Sequence, residues 1–262
     1  MITVSTPQAS CAQPVSAPLP GVRTSFLLRS GRLINLAGHR DRLLAAGAAP
    51  RSLSHALSSL ADLAASSEHD LLFPQLLITA DAGTALDPRP IPPSRLRSTA
   101  ALITHPEPDA RRFPHLKGPD FPHQARVRSA AEAADADDAI LLGPDGSVRE
   151  TAFGTLCLVR DETLVVNASA ERLASTTEAA LRHAWQDEGG QVRSEPLQRE
   201  DLFTADTVLL LSALHTLRTV TRIDGRPLPA AGAPSSFAAP SAGGVRDTFQ
   251  KRLWEHADVL TA

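Results

Sequence analysis

The sequence predicts an α+β (α/β) chain folded in two lobes. Short apolar runs with strand spacing alternate with helical spacing along the whole chain. Prolines crowd residues 81–114, as at a crossing between lobes. A length of 262 residues suffices for one large core or two modest ones.

Residues 1–20 are a polar, proline-rich lead-in without the charged start and apolar middle of a signal peptide. Ser25–Leu36 reads as two strands about the turn Ser30-Gly31. Helical spacing follows over His39–Ala48 (Leu43, Leu44, Ala48) and Ser52–Ala65 (Leu53, Leu57, Leu60, Leu63), with Pro50 as the break. Strands at Leu71–Ala80 and Leu96–Thr104 complete a small lobe over 21–104, and 105–112 is the linker. The larger lobe, 113–262, opens on the segment around Lys117 and continues as a helix over Pro122–Ala134. Asp138–Leu142 and Ser147–Glu150 are strands about Gly143-Pro144-Asp145-Gly146, and Thr155–Arg160 with Thr163–Asn167 forms a hairpin. Ser175 and Glu178 have the spacing of a capping box, opening a helix that ends before Gly189-Gly190. Thr207–Leu211 and Val220–Ile223 are strands, 229–244 is a low-complexity stretch, and Val245–Leu260 is a final amphipathic helix.

Composition narrows the function. A net charge of −3 opposes a nucleic-acid surface. No apolar run approaches the roughly 20 residues that span a bilayer, so the expected setting is cytoplasmic. The nine histidines are scattered and no cluster has metal-ligand spacing, so no metal is expected. Cys157, inside an apolar strand, reads as a reduced, buried thiol rather than a partner for Cys11. Among 26 basic residues only Lys117 and Lys251 are lysines. In so arginine-rich a chain a retained lysine suits a task closed to guanidinium, such as losing a proton and attacking a carbonyl. Lys251 lies on the wet face of the last helix.

Several motifs share one order. His115-Leu116-Lys117-Gly118-Pro119-Asp120 precedes Ala136-Asp137-Asp138-Ala139-Ile140-Leu141-Leu142 and Asp145-Gly146-Ser147-Val148-Arg149-Glu150. Upstream stands His39-Arg40-Asp41-Arg42-Leu43; downstream stand Leu173-Ala174-Ser175-Thr176-Thr177 and the stretch Ser212–Val220 before Ile223-Asp224-Gly225. Over residues 21–228 this order resembles the class IV aminotransferases, particularly members similar to 4-amino-4-deoxychorismate lyase. The resemblance implies a fold-type IV enzyme of pyridoxal 5'-phosphate, with a small N-terminal α/β lobe and a larger, β-rich pseudo-barrel lobe. It also implies a homodimer acting on a small-molecule substrate.

By the same resemblance Lys117 is the Schiff-base lysine and general base, and Glu150 is the partner of the cofactor's ring nitrogen. Arg42, Thr176, Thr177, Ser212 and Ala213 hold the phosphate, aided by unpaired N–H groups at a helix start. Arg218 is a candidate for a substrate carboxylate; a strand arginine paired with an acid is the other reading. Thr24, in the faint counterpart Gly21-Val22-Arg23-Thr24 of the family's N-terminal passage, is a second substrate candidate. Glu178 departs from the family pattern, and its charge requires a side chain turned away from a phosphate. The chain has no tyrosine, so the phenolic contact used by many transaminases is absent. That favours a lyase giving 4-aminobenzoate and pyruvate. A transaminase of branched-chain or D-amino acids is the alternative, and a non-catalytic family member the second.

Overall fold

A computed structural model describes residues 21–79, 81–229 and 244–260. The expected lead-in over 1–20, Cys11 and most of the low-complexity stretch lie outside the described residues. The N-terminal part runs β1 (Arg23–Ser25), β2 (Leu28–Arg29), β3 (Arg32–Leu33), α1 (Leu36–Ala45), α2 (Pro50–Ser66), β4 (Leu71–Leu72), β5 (Gln75–Ile78) and β6 (Thr84–Asp87). Then follow β7 (Thr99–Thr104), α3 (Phe121–Ala133), β8 (Asp138–Leu142), β9 (Val148–Thr151), β10 (Thr155–Arg160), β11 (Thr163–Asn167) and α4 (Thr176–Asp187). The chain closes with β12 (Val192–Glu195), α5 (Asp201–Thr204), β13 (Thr207–Ser212), β14 (Thr216–Ile223), β15 (Arg226–Pro227), α6 (Gly244–Glu255) and β16 (Asp258–Val259).

The dominant element is a sheet in the order β12-β11-β10-β13-β14-β7-β8-β9, with β15 beside β14. Its two ends curl toward each other. The Val148 N–H donates to the Leu197 carbonyl at 2.7 Å, and Asn167 Nδ2 donates to the carbonyls of Val148 and Arg149. The side-chain alternation of period two therefore separates an inside from an outside. Leu156, Leu158, Val165, Val208 and Leu210 point into the half-barrel core. Cys157, Val159, Leu164, Val166, Leu209 and Leu211 point outward, where α4 and α6 cover them through Leu181, Trp185, Phe249 and Leu253. The fold is the mixed α/β architecture with a curled half-barrel sheet expected of fold-type IV, and the N-terminal part packs its own cluster around Phe26, Leu43, Leu53, Leu60 and Leu76.

Three boundaries differ from the sequence expectation. β7, expected at the end of the small lobe, is an internal strand of the large sheet, parallel to both β14 and β8. β14 begins at Thr216 instead of Val220, because Thr216 and Arg218 are buried and break the apolar alternation that marks a strand. The final helix stops at Glu255, and β16 then pairs with β3. The edge strands β6 and β12 are too polar to be seen by periodicity.

Candidate active site

The loop carrying Lys117 is fixed from both sides. The Asp120 carboxylate accepts the N–H groups of Arg112 (3.1 Å) and Phe113 (2.8 Å). The Lys117 carbonyl accepts the Arg23 N–H at 2.8 Å, tying the loop to β1. Gly118 makes that approach possible. Its φ is +133°, and a Cβ there would stand 1.9 Å from the Gly21 carbonyl oxygen. Loss of water around the Lys117 amine, then the neighbouring Arg42 charge, lowers its pKa to about 8; Glu150 acts the other way.

Arg42 lines the same narrow cavity of about 50 Å³, together with Lys117, Glu150, Thr176, Thr177, Ser212 and Ala213. Its Nε is buried with no hydrogen-bond partner among the described residues. Burial lowers its pKa to about 10. One terminal nitrogen donates to the Thr24 hydroxyl and approaches His39 Nδ1 at 3.4 Å. His39 is buried and neutral, because loss of water and the charges of Arg42 and Lys117 hold its pKa well below the usual range. Its ring spans from the Thr24 hydroxyl (2.7 Å) to the Thr176 hydroxyl (3.2 Å), joining α1 to β1 and to the start of α4.

The start of α4 faces the cavity. Ser175 caps the helix by accepting the Glu178 N–H at 3.2 Å, and the N–H groups of Thr176 and Thr177 belong to the first turn, which has no intrahelical acceptors. Glu178 turns away, as its charge requires: its carboxylate meets Arg172 in a two-pronged pair at 2.7 and 3.0 Å. Ser212 and Ala213 close the cavity at the end of β13, where the Ala213 carbonyl accepts the Leu27 N–H at 3.1 Å. A partly buried guanidinium with no carboxylate partner among the described residues, beside a helix N-terminus, is a built place for a multiply charged anion.

Glu150 comes from β9 and is buried. Burial pushes its pKa up, and Arg111 opposes this. The Arg111 guanidinium pairs with Glu150 and, at 2.7 Å, with Asp109; Glu150 also accepts the Leu173 N–H at 3.1 Å. Burial works against the Arg111 charge, yet Asp109 and Glu150 hold its pKa above the usual range. Sequence reasoning missed Arg111 and Asp109, which fall in the segment read as a linker. The only signal was a charged Asp-x-Arg-Arg run just ahead of Lys117.

Two sequence candidates lie elsewhere. Thr24 is fully buried beneath Arg42 and does not line the cavity. Arg218 lines a separate cleft, 3.7 Å from Asp137.

The structure superposes on the branched-chain amino acid aminotransferase from T.th., in a form with pyridoxamine 5'-phosphate (TM-score 0.74, 19% identity, 90% of this chain and 85% of that one). It also superposes on a hypothetical aminotransferase from Mycobacterium tuberculosis in a form with alpha-ketoglutarate and PMP (TM-score 0.74, 20% identity, 97% and 96% covered). A Legionella pneumophila protein provisionally named 4-amino-4-deoxychorismate lyase is similar as well (TM-score 0.70, 18% identity, 82% and 87% covered). At these identities the likeness shows the fold. No curated protein sequence matches. The family profile described as amino-transferase class IV matches residues 21–223, and the chain belongs to that family.

Proposed function

We propose that this chain is a pyridoxal-phosphate-dependent lyase that converts 4-amino-4-deoxychorismate to 4-aminobenzoate and pyruvate. One observation carries the cofactor reading: a single cavity gathers a lysine amine with a pKa of about 8, a partly buried guanidinium lacking a carboxylate partner among the described residues, a helix N-terminus and a buried carboxylate. That donor set fits a phosphate at Arg42 and the start of α4, an aldehyde at Lys117 and a ring nitrogen at Glu150. Lys117, Arg42, Arg111 and Gln124 line the same cavity.

Pyridoxal phosphate, when bound, supplies an aldehyde for amines and a ring that withdraws electrons from the neighbouring carbon. The protein does the rest. A Lys117 amine with a lowered pKa is neutral in part near pH 7, so its Nζ can attack a carbonyl and afterwards take a proton from the substrate carbon and return it. The guanidinium of Arg111 opposes the loss of charge that burial favours at Glu150, and the Leu173 N–H accepted by the carboxylate fixes its direction. Thr24 and His39 position Arg42 rather than touch substrate. The choice of lyase rests on the absence of any tyrosine to supply a phenolic contact. The reading includes a homodimer, as the family resemblance implies, and a cytoplasmic setting, in keeping with the free, buried Cys157.

The test is pyruvate release from 4-amino-4-deoxychorismate with no keto acid added. Release by the wild type and its loss in Lys117→Ala support the reading. Strict dependence on a keto acid makes the chain a transaminase of branched-chain or D-amino acids instead. Failure to take up cofactor, read as no visible absorbance band, leaves a non-catalytic family member.

A further inference from the structure

Arg218 points to a second site. It belongs to a cleft of about 710 Å³ bounded by residues 92–97, α3 with the turn after it, and residues 214–222. Arg218 is 4% exposed, and its Nε has no hydrogen-bond partner among the described residues. Its nearest acid, Asp137, stands 3.7 Å away and already accepts the Ala101 N–H at 2.8 Å. A guanidinium taken out of water with so little compensation is costly.

The surroundings add charge of the same sign. Five arginines and three carboxylates line the cleft, an excess of two positive charges in a chain whose net charge is −3. The carboxylates are engaged: Glu132 pairs with Arg128 at 3.1 Å, and Asp135 with Arg222 at 2.7 Å. Arg95 and Arg97 have no acidic partner among the described residues and sit on the exposed rim. His215 adds no charge. Loss of water and the nearby Arg218 and Arg128 lower its pKa to about 3, while its Nδ1 accepts the Arg97 backbone N–H at 3.2 Å and fixes the rim loop.

We propose that this cleft binds a small dianion of the phosphate type, with Arg218 as its buried anchor and Arg97 and Arg128 closing over it. Forked guanidinium donors suit a tetrahedral oxyanion. The site is separate from the Lys117 cavity and does not depend on which reaction occurs there.

The experiment is calorimetric titration of inorganic phosphate into protein saturated with pyridoxal phosphate, so that the cavity at Arg42 is filled. Saturable binding, weakened at least tenfold in Arg97→Gln and in Arg218→Met with the visible cofactor band unchanged, supports the proposal. Arg97 is exposed, so its substitution keeps the test alive if Arg218→Met fails to fold. Absence of saturable binding, or equal binding by Arg97→Gln, overturns it. A changed oligomeric mass in Arg97→Gln without changed phosphate binding makes the cleft a protein interface and also overturns it.

Discussion

At Lys117 the sequence supplies the amine and its surroundings set its readiness. The pKa of about 8 comes first from lost water and next from Arg42. Capture of added pyridoxal phosphate, followed by stopped-flow absorbance, should therefore accelerate with pH up to about 8 and level above it. A rise continuing toward the usual lysine range would show an ordinary, solvated amine. The same shift acts on stability. The unfolded chain binds this proton more readily, so the group disfavours the cofactor-free fold below about pH 8, and that handicap fades as pH climbs toward the ordinary lysine value. Arg111 works in the opposite sense on Glu150. Arg111→Met removes the largest opposition to burial, leaving the Leu173 N–H and the Arg172 charge, and raises the Glu150 pKa further. Activity of the variant should fall as pH drops through that raised value, where the wild type is flat.

At the scale of elements, two short features hold the site. Gly118 lets the Lys117 loop touch β1, in a backbone conformation that L side chains rarely adopt. Gly118→Ala should cost on the order of 2 kcal/mol in urea unfolding from strain alone. It should also weaken the cofactor band, because the Arg23–Lys117 hydrogen bond cannot survive the displacement. The first turn of α4 keeps its favourable field only because Arg172 holds Glu178 aside. Arg172→Met leaves a buried, unpaired carboxylate and should destabilise by about 3 kcal/mol, with weaker phosphate affinity. The double variant Arg172→Met/Glu178→Leu should recover most of the stability, and a cycle with no coupling would refute the pairing.

For the whole molecule, the site joins pieces remote in sequence: α1, the Lys117 loop, β9, the start of α4 and the end of β13 all meet at it. A ligand that bridges them binds the folded chain and not the unfolded one. At one hundred times its dissociation constant, pyridoxal phosphate should add about 2.7 kcal/mol of stability. Thermal unfolding with and without cofactor measures this, and Lys117→Ala should show a smaller gain.

α2 was legible because its burial is one-sided and a 3.6-residue period writes that into the sequence, while β10 and β13, buried on both faces, were legible as short continuous apolar runs. Lys117, Glu150, Arg42, Thr176, Thr177, Ser212 and Ala213 stood out by type and order, and they line one cavity. Position in space was another matter. Thr24 and Arg218 are the right kinds of residue for a substrate, yet pairing places one beneath Arg42 and the other in a second cleft. Arg111 looked like a linker charge and is buried against Glu150. β7 looked like the end of one lobe and lies inside the other's sheet. The sequence by itself determined the chemistry available, since a side chain carries its amine, fork or carboxylate wherever it goes. Tertiary structure alone decided which of these groups lose water and which charges become neighbours, because parallel strand pairing and loop closure join residues that no local period connects.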